Sequence, residues 1–215
     1  MSSTRSSRPS SRRAGLDAFV HTLVSERAGR EWCLLLDRDG VINRRIVGDY
    51  VRGWADFEWL PGAQRALNVL RGWAPQLVVV TNQQGIGKGL MSRGDVDTVH
   101  DKIREQLAAN RVSIDAILVC PHLESVGCEC RKPMPGLALD WLEQHPGVDQ
   151  SLCVMVGDSP SDLEFAQRIA VETGGCPSVQ IGGDAHQVAA DASFASLLDF
   201  AVAVRKALKD ERPSC

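Results

Sequence analysis

No stretch of this 215-residue chain is apolar for long enough to cross a bilayer, which excludes a helical membrane span. There is no internal repeat, so solenoid and propeller architectures are out. Outside the first fifteen residues, acids outnumber bases. Met1 to Gly15 carries Arg5, Arg8, Arg12 and Arg13 and no acid, and setting those four aside takes the net charge from −3 to −7. A body that acidic is a poor general binder of nucleic acid or of an anionic membrane. No apolar segment directly follows the arginines, which argues against secretion. The seven cysteines are odd in number, and three of them fall within Cys120–Cys130. That pattern suits a reducing cytoplasm and a metal better than a secreted disulfide framework.

What is present is an alternation of short apolar runs with amphipathic stretches, enough for one sizeable core. Residues 1–15, rich in serine and arginine, have nothing to bury and are read as a disordered tail in preference to an organelle transit peptide. An amphipathic stretch from Leu16 to about Arg30 follows. Trp32 to Leu36 reads as a strand buried on both faces, ending abruptly in Asp37-Arg38-Asp39-Gly40. Two carboxylates at a strand's carboxyl end lie where α/β sheets bind ligands, and at i and i+2 they can divide attack or metal binding from proton exchange.

Asn43 to Trp59 is irregular and aromatic. It is read either as a flap over the acids or as a surface loop with its aromatics tucked into the core. Pro61 is expected to start a helix at its favoured first position. A second strand, Gln76 to Val80, ends in Thr81-Asn82-Gln83-Gln84-Gly85, small polar groups suited to holding phosphate oxygens without adding negative charge. Ser92 is the expected N-cap of a helix running to about Ala109. A third strand, Ile114 to Val119, leads into Cys120-Pro121-His122, with Cys128 and Cys130 close behind. Three thiolates and one imidazole are the donor set of a closed structural zinc site, which leaves no open position for chemistry.

Arg131-Lys132-Pro133 follows at once, a fork and a point charge that could both meet phosphate. A fourth strand near Cys153 to Val156 ends in Gly157-Asp158-Ser159-Pro160-Ser161-Asp162. Acids recurring at strand ends suggest a shared Mg2+, which prefers oxygen ligands. A helix from Pro160 to Glu172, a strand near Ser178 to Ile181, a turn at Gly182-Gly183 and a helix from about Ser193 to Leu208 complete the alternation. The expected fold is α/β, a Rossmann-like parallel sheet with helices on both faces. It forms one domain over residues 16–208, with a small zinc loop at 120–130 and a flexible end at 209–215.

Taken together, D-x-D-G at Asp37, T-N-Q at Thr81, R-K-P at Lys132 and G-D-x-x-x-D at Asp158 resemble the four ordered motifs of the haloacid dehalogenase superfamily of phosphohydrolases. The resemblance spans roughly Trp32 to Ile181. The C-x-H-x5-C-x-C loop narrows it to the branch of the heptose 1,7-bisphosphate phosphatases and histidinol-phosphate phosphatases. G-D-Y-V at Gly48, D-F-E-W-L-P-G-A at Asp56 and K-P-M-P-G at Lys132 are more similar to the heptose enzymes.

This resemblance implies a Mg2+-dependent phosphatase that removes the C7 phosphate of a heptose 1,7-bisphosphate. Asp37 would be the nucleophile, and Asp39 would protonate the leaving oxygen and then activate water. Mg2+ would be held by Asp37, the backbone carbonyl of Asp39 and Asp158, with Asp162 beside them. Thr81 and Lys132 would bind the transferring phosphoryl group, while Asn82 and Arg131 would touch phosphate or sugar hydroxyls. Zn2+ would sit on Cys120, His122, Cys128 and Cys130.

Ser159 departs from the lysine that heptose phosphatases often carry there, and the short zinc loop matches histidinol-phosphate phosphatases. That substrate is therefore the alternative, and a zinc-loop binding module without catalysis is the alternative of a different class. A cytoplasmic monomer acting on a small sugar phosphate, with no nucleic-acid or membrane partner, is expected.

Overall fold

The apolar runs form strands, and their side chains alternate between two layers. In the computed structural model, which describes residues 11–182 and 188–211, β1 (Cys33–Leu36) is buried at all four positions. Leu34 and Leu36 face a layer that contains α1 (Ser11–Glu26), α2 (Ala63–Arg71), α3 (Arg93–Ala108) and α6 (Leu197–Asp210). Cys33 and Leu35 face the opposite layer, built from α4 (Gly136–Glu143) and α5 (Pro160–Thr173). This period of two, buried on both sides, is why the run reads as unbroken hydrophobicity. Truncating one of these leucines to alanine would cost about 2–5 kcal/mol.

Among the described residues six parallel strands form one sheet in the order β3-β2-β1-β4-β5-β6, with β2 at Gln76–Asn82, β3 at Ala116–Cys120, β4 at Val154–Gly157, β5 at Ser178–Ile181 and β6 at Ala192–Phe194. The chain winds outward from β1 through β2 and β3, then returns to place β4 beside β1 in register Leu34↔Val154. The crevice at this switch of direction opens outside the carboxyl ends of β1 and β4, and Asp37 and Asp158 are the residues that leave those two strands. The expected fold class is the one observed.

Several boundaries differ from expectation. Helix α1 begins at Ser11, so residues 11–15 belong to a helix instead of the unstructured tail; residues 1–10 lie outside the described residues. Helix α2 begins at Ala63, not at Pro61, because Gly62 turns the chain at φ 77° and the helix starts only after it. A side chain on Gly62 would also run into Leu198, its Cβ lying 2.7 Å from Cδ2.

Ser193 lies in β6, and the last helix starts at Leu197 with Ser196 as its cap, accepting from Asp199 N–H. Three residues are too few for a periodicity to register, and only the pairing with β5 makes them a strand. Helix α6 extends through Asp210, so 209–210 are helical, whereas 212–215 lie outside the described residues, as do Gly183 and His186. Among the described residues no helix is long and apolar enough to cross a membrane.

Candidate active site

Strand β1 delivers Asp37 to the crevice with its backbone still paired, N–H to the Val156 carbonyl at 2.9 Å. Strand β4 delivers Asp158, and the first turn of α5 delivers Asp162. One carboxylate oxygen from each lies within 4.8 Å of the others. Lys132 enters from the loop before α4 and is 4 % exposed. Its Nζ is 2.6 Å from Asp37 Oδ1 and 2.7 Å from Asp162 Oδ1, a buried cation between two buried anions.

Asn82, at the end of β2, holds that loop in place: its Nδ2 donates to the Lys132 carbonyl and its Oδ1 accepts from the Lys132 N–H, each at 3.0 Å. Asp162 uses its other oxygen to accept from the N–H groups of Asp158 (3.2 Å) and Ser159 (3.0 Å) and from the Ser159 hydroxyl (2.6 Å). Ser159 is thus engaged in starting α5.

Burial first, and the crowding of acids second, sets their ionisation. Burial raises the Asp37 carboxyl to about 7, with Lys132 opposing the rise and Asp162, Asp39 and Asp158 adding to it. Burial likewise raises Asp158 to about 6, although Arg45 Nη2, 3.0 Å from its Oδ1, opposes the shift. Lys132 is held above its ordinary value despite burial, by Asp162 and Asp37.

Three carboxylates this close repel one another, and a hard cation with oxygen preference is the group that relieves them. Two glycines leave room for the cluster. Gly40 has φ +97°, and a Cβ there would lie 1.9 Å from Asp158 Oδ2; a Cβ at Gly157 would lie 2.1 Å from Asp162 Cβ. The residues present therefore fit a divalent cation at this place.

Asp39 behaves oppositely to its neighbours. Burial alone would raise it, but Arg38, Asn43 and Gln83 together hold it below the usual carboxylate range. Arg38 Nη2 lies 3.0 and 2.8 Å from its two oxygens, Asn43 Nδ2 donates to Oδ1 at 2.8 Å, and Gln83 Nε2 donates to Oδ2 at 2.8 Å. The same Gln83 nitrogen donates to Thr81 Oγ1 at 2.8 Å, tying the β2 hydroxyl to the second aspartate.

Asp37, Asp39, Thr81, Asn82, Arg131, Lys132 and Asp162 all line one cavity of about 330 Å³. Asp158 borders it through Asp37 and Asp162. In the 43–59 loop, Arg45, Tyr50 and Val51 line the cavity, while Trp54, Phe57 and Trp59 pack on the core as the surface-loop reading expects.

The second cluster lies just past β3. Cys120, His122, Cys128 and Cys130 converge, with Sγ–Sγ separations of 3.3, 3.4 and 3.7 Å and His122 Nδ1 3.1 Å from Cys130 Sγ. Gly127 makes the return at φ 62°. Four soft donors that each nearly touch the others match the edges of a small tetrahedron, the shape in which Zn2+ takes sulfur and nitrogen.

A family model described as HAD-hydrolase-like matches residues 129–199, the stretch from the end of the Cys/His loop through β4 and α5 to the start of α6. Over 182 residues the chain is 61% identical to the D-glycero-alpha-D-manno-heptose-1,7-bisphosphate 7-phosphatase of Mycobacterium tuberculosis, covering 85% of this chain and 96% of that one. The chain belongs to the heptose-1,7-bisphosphate 7-phosphatase branch of the HAD-like hydrolases.

A more distant member of this branch, the D-glycero-beta-D-manno-heptose-1,7-bisphosphate 7-phosphatase of Pseudomonas aeruginosa, is 38% identical over 148 residues, 66% of this chain and 81% of that one. Among solved structures, the D,D-heptose 1,7-bisphosphate phosphatase from B. bronchiseptica, complexed with magnesium and phosphate, superposes with a TM-score of 0.69 at 29% identity, covering 83% of this chain and 99% of that one.

Sequence reasoning missed several of the HAD-like site's residues. Arg38, 1 % exposed, and His100, 3 % exposed, carried no recognisable signal. An arginine between two aspartates reads as a solvated charge, and a histidine on the inner face of α3 reads as core. Gln83 and Asn43 sit inside the quoted stretches, but nothing in their spacing says that both converge on Asp39.

Proposed function

We propose that this protein is a Mg2+-dependent phosphatase that hydrolyses the C7 phosphate of D-glycero-α-D-manno-heptose 1,7-bisphosphate. The observation that carries the reading is the convergence of Asp37, Asp39, Thr81, Lys132 and Asp158 on one crevice, in a chain 61% identical over nearly the whole length of a relative that bears this name for the α anomer. The relatives named for the β anomer are more distant, 38% identical or less among those compared.

In this reading Asp37 attacks phosphorus. A carboxylate–phosphoryl bond forms and the bond to the sugar oxygen breaks, which divides a hard hydrolysis into two easier steps. Lys132, fixed by Asn82, is placed to bind the transferring oxygens where negative charge grows, a contact worth roughly 3–4 kcal/mol when preorganised. Thr81 adds a hydroxyl that cannot repel them.

Asp39 moves protons. Ionised at rest through Arg38, Asn43 and Gln83, it first takes up a proton from solvent or from the substrate's phosphate. It passes that proton to the leaving sugar oxygen, and then takes one from the water that cleaves the aspartyl-phosphate. Asp37, the Asp39 carbonyl and Asp158 would hold Mg2+, with Asp162 beside them through Lys132 and the α5 N-terminus. When bound, this ion would lower the repulsion between carboxylate and phosphate dianion. Cys120, His122, Cys128 and Cys130 would hold Zn2+ and brace the loop that carries Arg131 and Lys132.

Ser159 is occupied with Asp162, so a second phosphate would depend on Arg131 and Arg45, which both line the cavity. The odd number of cysteines supports a cytoplasmic setting, and a monomer is the assembly proposed. The test is phosphate release with Mg2+ from the α and β heptose bisphosphates beside histidinol phosphate. The reading expects the α anomer to lead in kcat/KM by at least about tenfold; preference for histidinol phosphate would overturn it.

A further inference from the structure

One deeply buried charged group beside the aspartates has no task in the steps above. Arg38 is 1 % exposed, and its guanidinium spans two elements. Nη2 reaches both oxygens of Asp39 at 3.0 and 2.8 Å, and Nη1 lies 3.2 Å from Nε2 of His100 on α3. Guanidinium nitrogens only donate, so the contact is satisfied when His100 Nε2 presents its lone pair.

That requires a neutral ring, and burial followed by the Arg38 charge lowers His100 to about 3, so it stays neutral at working pH. A carboxylate in this position would add charge to an already acidic crevice and compete with Asp39 for the guanidinium. A neutral imidazole anchors one end of the fork and leaves the other end for Asp39. Because His100 sits among Val96, Val99 and Ile103 on the inner face of α3, its position is set by the core and not by the catalytic loop.

We infer that His100 is a positioning residue for proton transfer, acting through Arg38 to fix the place and orientation of the Asp39 carboxyl group. The inference rests on the reading of Asp39 as the proton-transfer residue. Loss of His100 leaves a buried guanidinium N–H without an acceptor and frees the fork to turn, so the chemical step suffers while phosphate binding by Thr81, Lys132 and Arg131 does not.

The test is a double-mutant cycle with the full-length protein and Mg2+, using the α heptose bisphosphate and an aryl phosphate as substrates. His100→Leu is expected to lower kcat about 10- to 100-fold with KM within about threefold. His100→Gln, whose amide oxygen can accept from Arg38, is expected to recover most of that loss. In an Asp39→Asn background, His100→Leu should cost less than about twofold more.

Arg38→Lys keeps the charge but cannot reach both partners, and it serves as the second variant should His100→Leu not fold; the same coupling to Asp39 is expected of it. An equal fold-loss in both backgrounds, or a folded His100→Leu protein with undiminished kcat, overturns the inference and leaves the function reading intact. An Asp39→Asn protein as active as wild type overturns the assignment of Asp39 and the inference with it.

Discussion

The two candidate metal clusters found among the described residues are built by opposite strategies. The Cys/His cluster is local: four donors between Cys120 and Cys130, on a loop that closes on itself beside the sheet. The aspartate cluster is topological. Asp37 and Asp158 are distant in sequence and meet only because β1 and β4 are neighbours, with Asp162 and Lys132 completing the group.

The local cluster is partly exposed and its donors are soft, which suits a brace. The topological one is buried, its donors are hard oxygens, and a cation, Lys132, is already threaded between them. A loop can carry a metal by its own sequence, whereas a reactive site with raised carboxyl groups needs the whole sheet to hold mutually repelling charges together.

The largest effect that would sharpen this contrast is expected at the aspartates. Asp37→Asn should reduce turnover by more than about 1,000-fold while the far-ultraviolet circular dichroism stays that of wild type. Lys132→Met should do damage of both kinds. It removes the partner of two buried carboxylates, costing about 3–5 kcal/mol in denaturant unfolding without Mg2+, and it slows turnover by about 100-fold or more. If Lys132→Met left stability unchanged, the two clusters would be less different than their geometry indicates.

At the Cys/His loop the expected change falls on stability. Cys128→Ser, or chelation of the soft-donor metal, should lower Tm by several degrees, with Mg2+-dependent activity persisting in the protein that remains folded. Activity that returned only with Zn2+ and not with Mg2+ would reverse the division of labour between the clusters.

A smaller effect concerns pH. Asp37 and Asp158 are raised from 3.8 to about 7 and about 6, so between pH 4 and 7 these two groups hold more protons in the folded metal-free protein than in the unfolded chain. These two groups therefore lower stability as pH rises through that window. Added Mg2+ should oppose this, and its stabilisation in thermal melts should be larger at pH 7.5 than at pH 5. Equal stabilisation at both values would place the ion elsewhere.

Much of this was legible from the chain because its signals are strong where burial is complete. The runs ending at Leu36, Val80 and Val156 could only be core strands, and polar residues shortly beyond each, Asp37, Thr81 and Ser159, line the crevice. The Cys/His spacing named its own geometry. The three-residue β6 could not be foreseen, since its identity comes from pairing with β5, nor could the late start of α2, which depends on how Gly62 meets Leu198. The Arg38–His100 link was hidden for a related reason. It joins a loop to a helix face, and each residue taken alone has a more ordinary explanation.

In the proposed reaction Asp37, at the meeting of β1 and β4, is the carboxylate whose oxygen takes the phosphoryl group from the substrate to form a covalent intermediate. The most direct measurement is acid quenching during turnover of the α heptose bisphosphate with Mg2+, followed by peptide mass spectrometry. The account predicts one added phosphoryl group on the peptide containing Asp37, absent in Asp37→Asn. Rapid phosphate release with that peptide unmodified, or with the phosphoryl group on another residue, would contradict it.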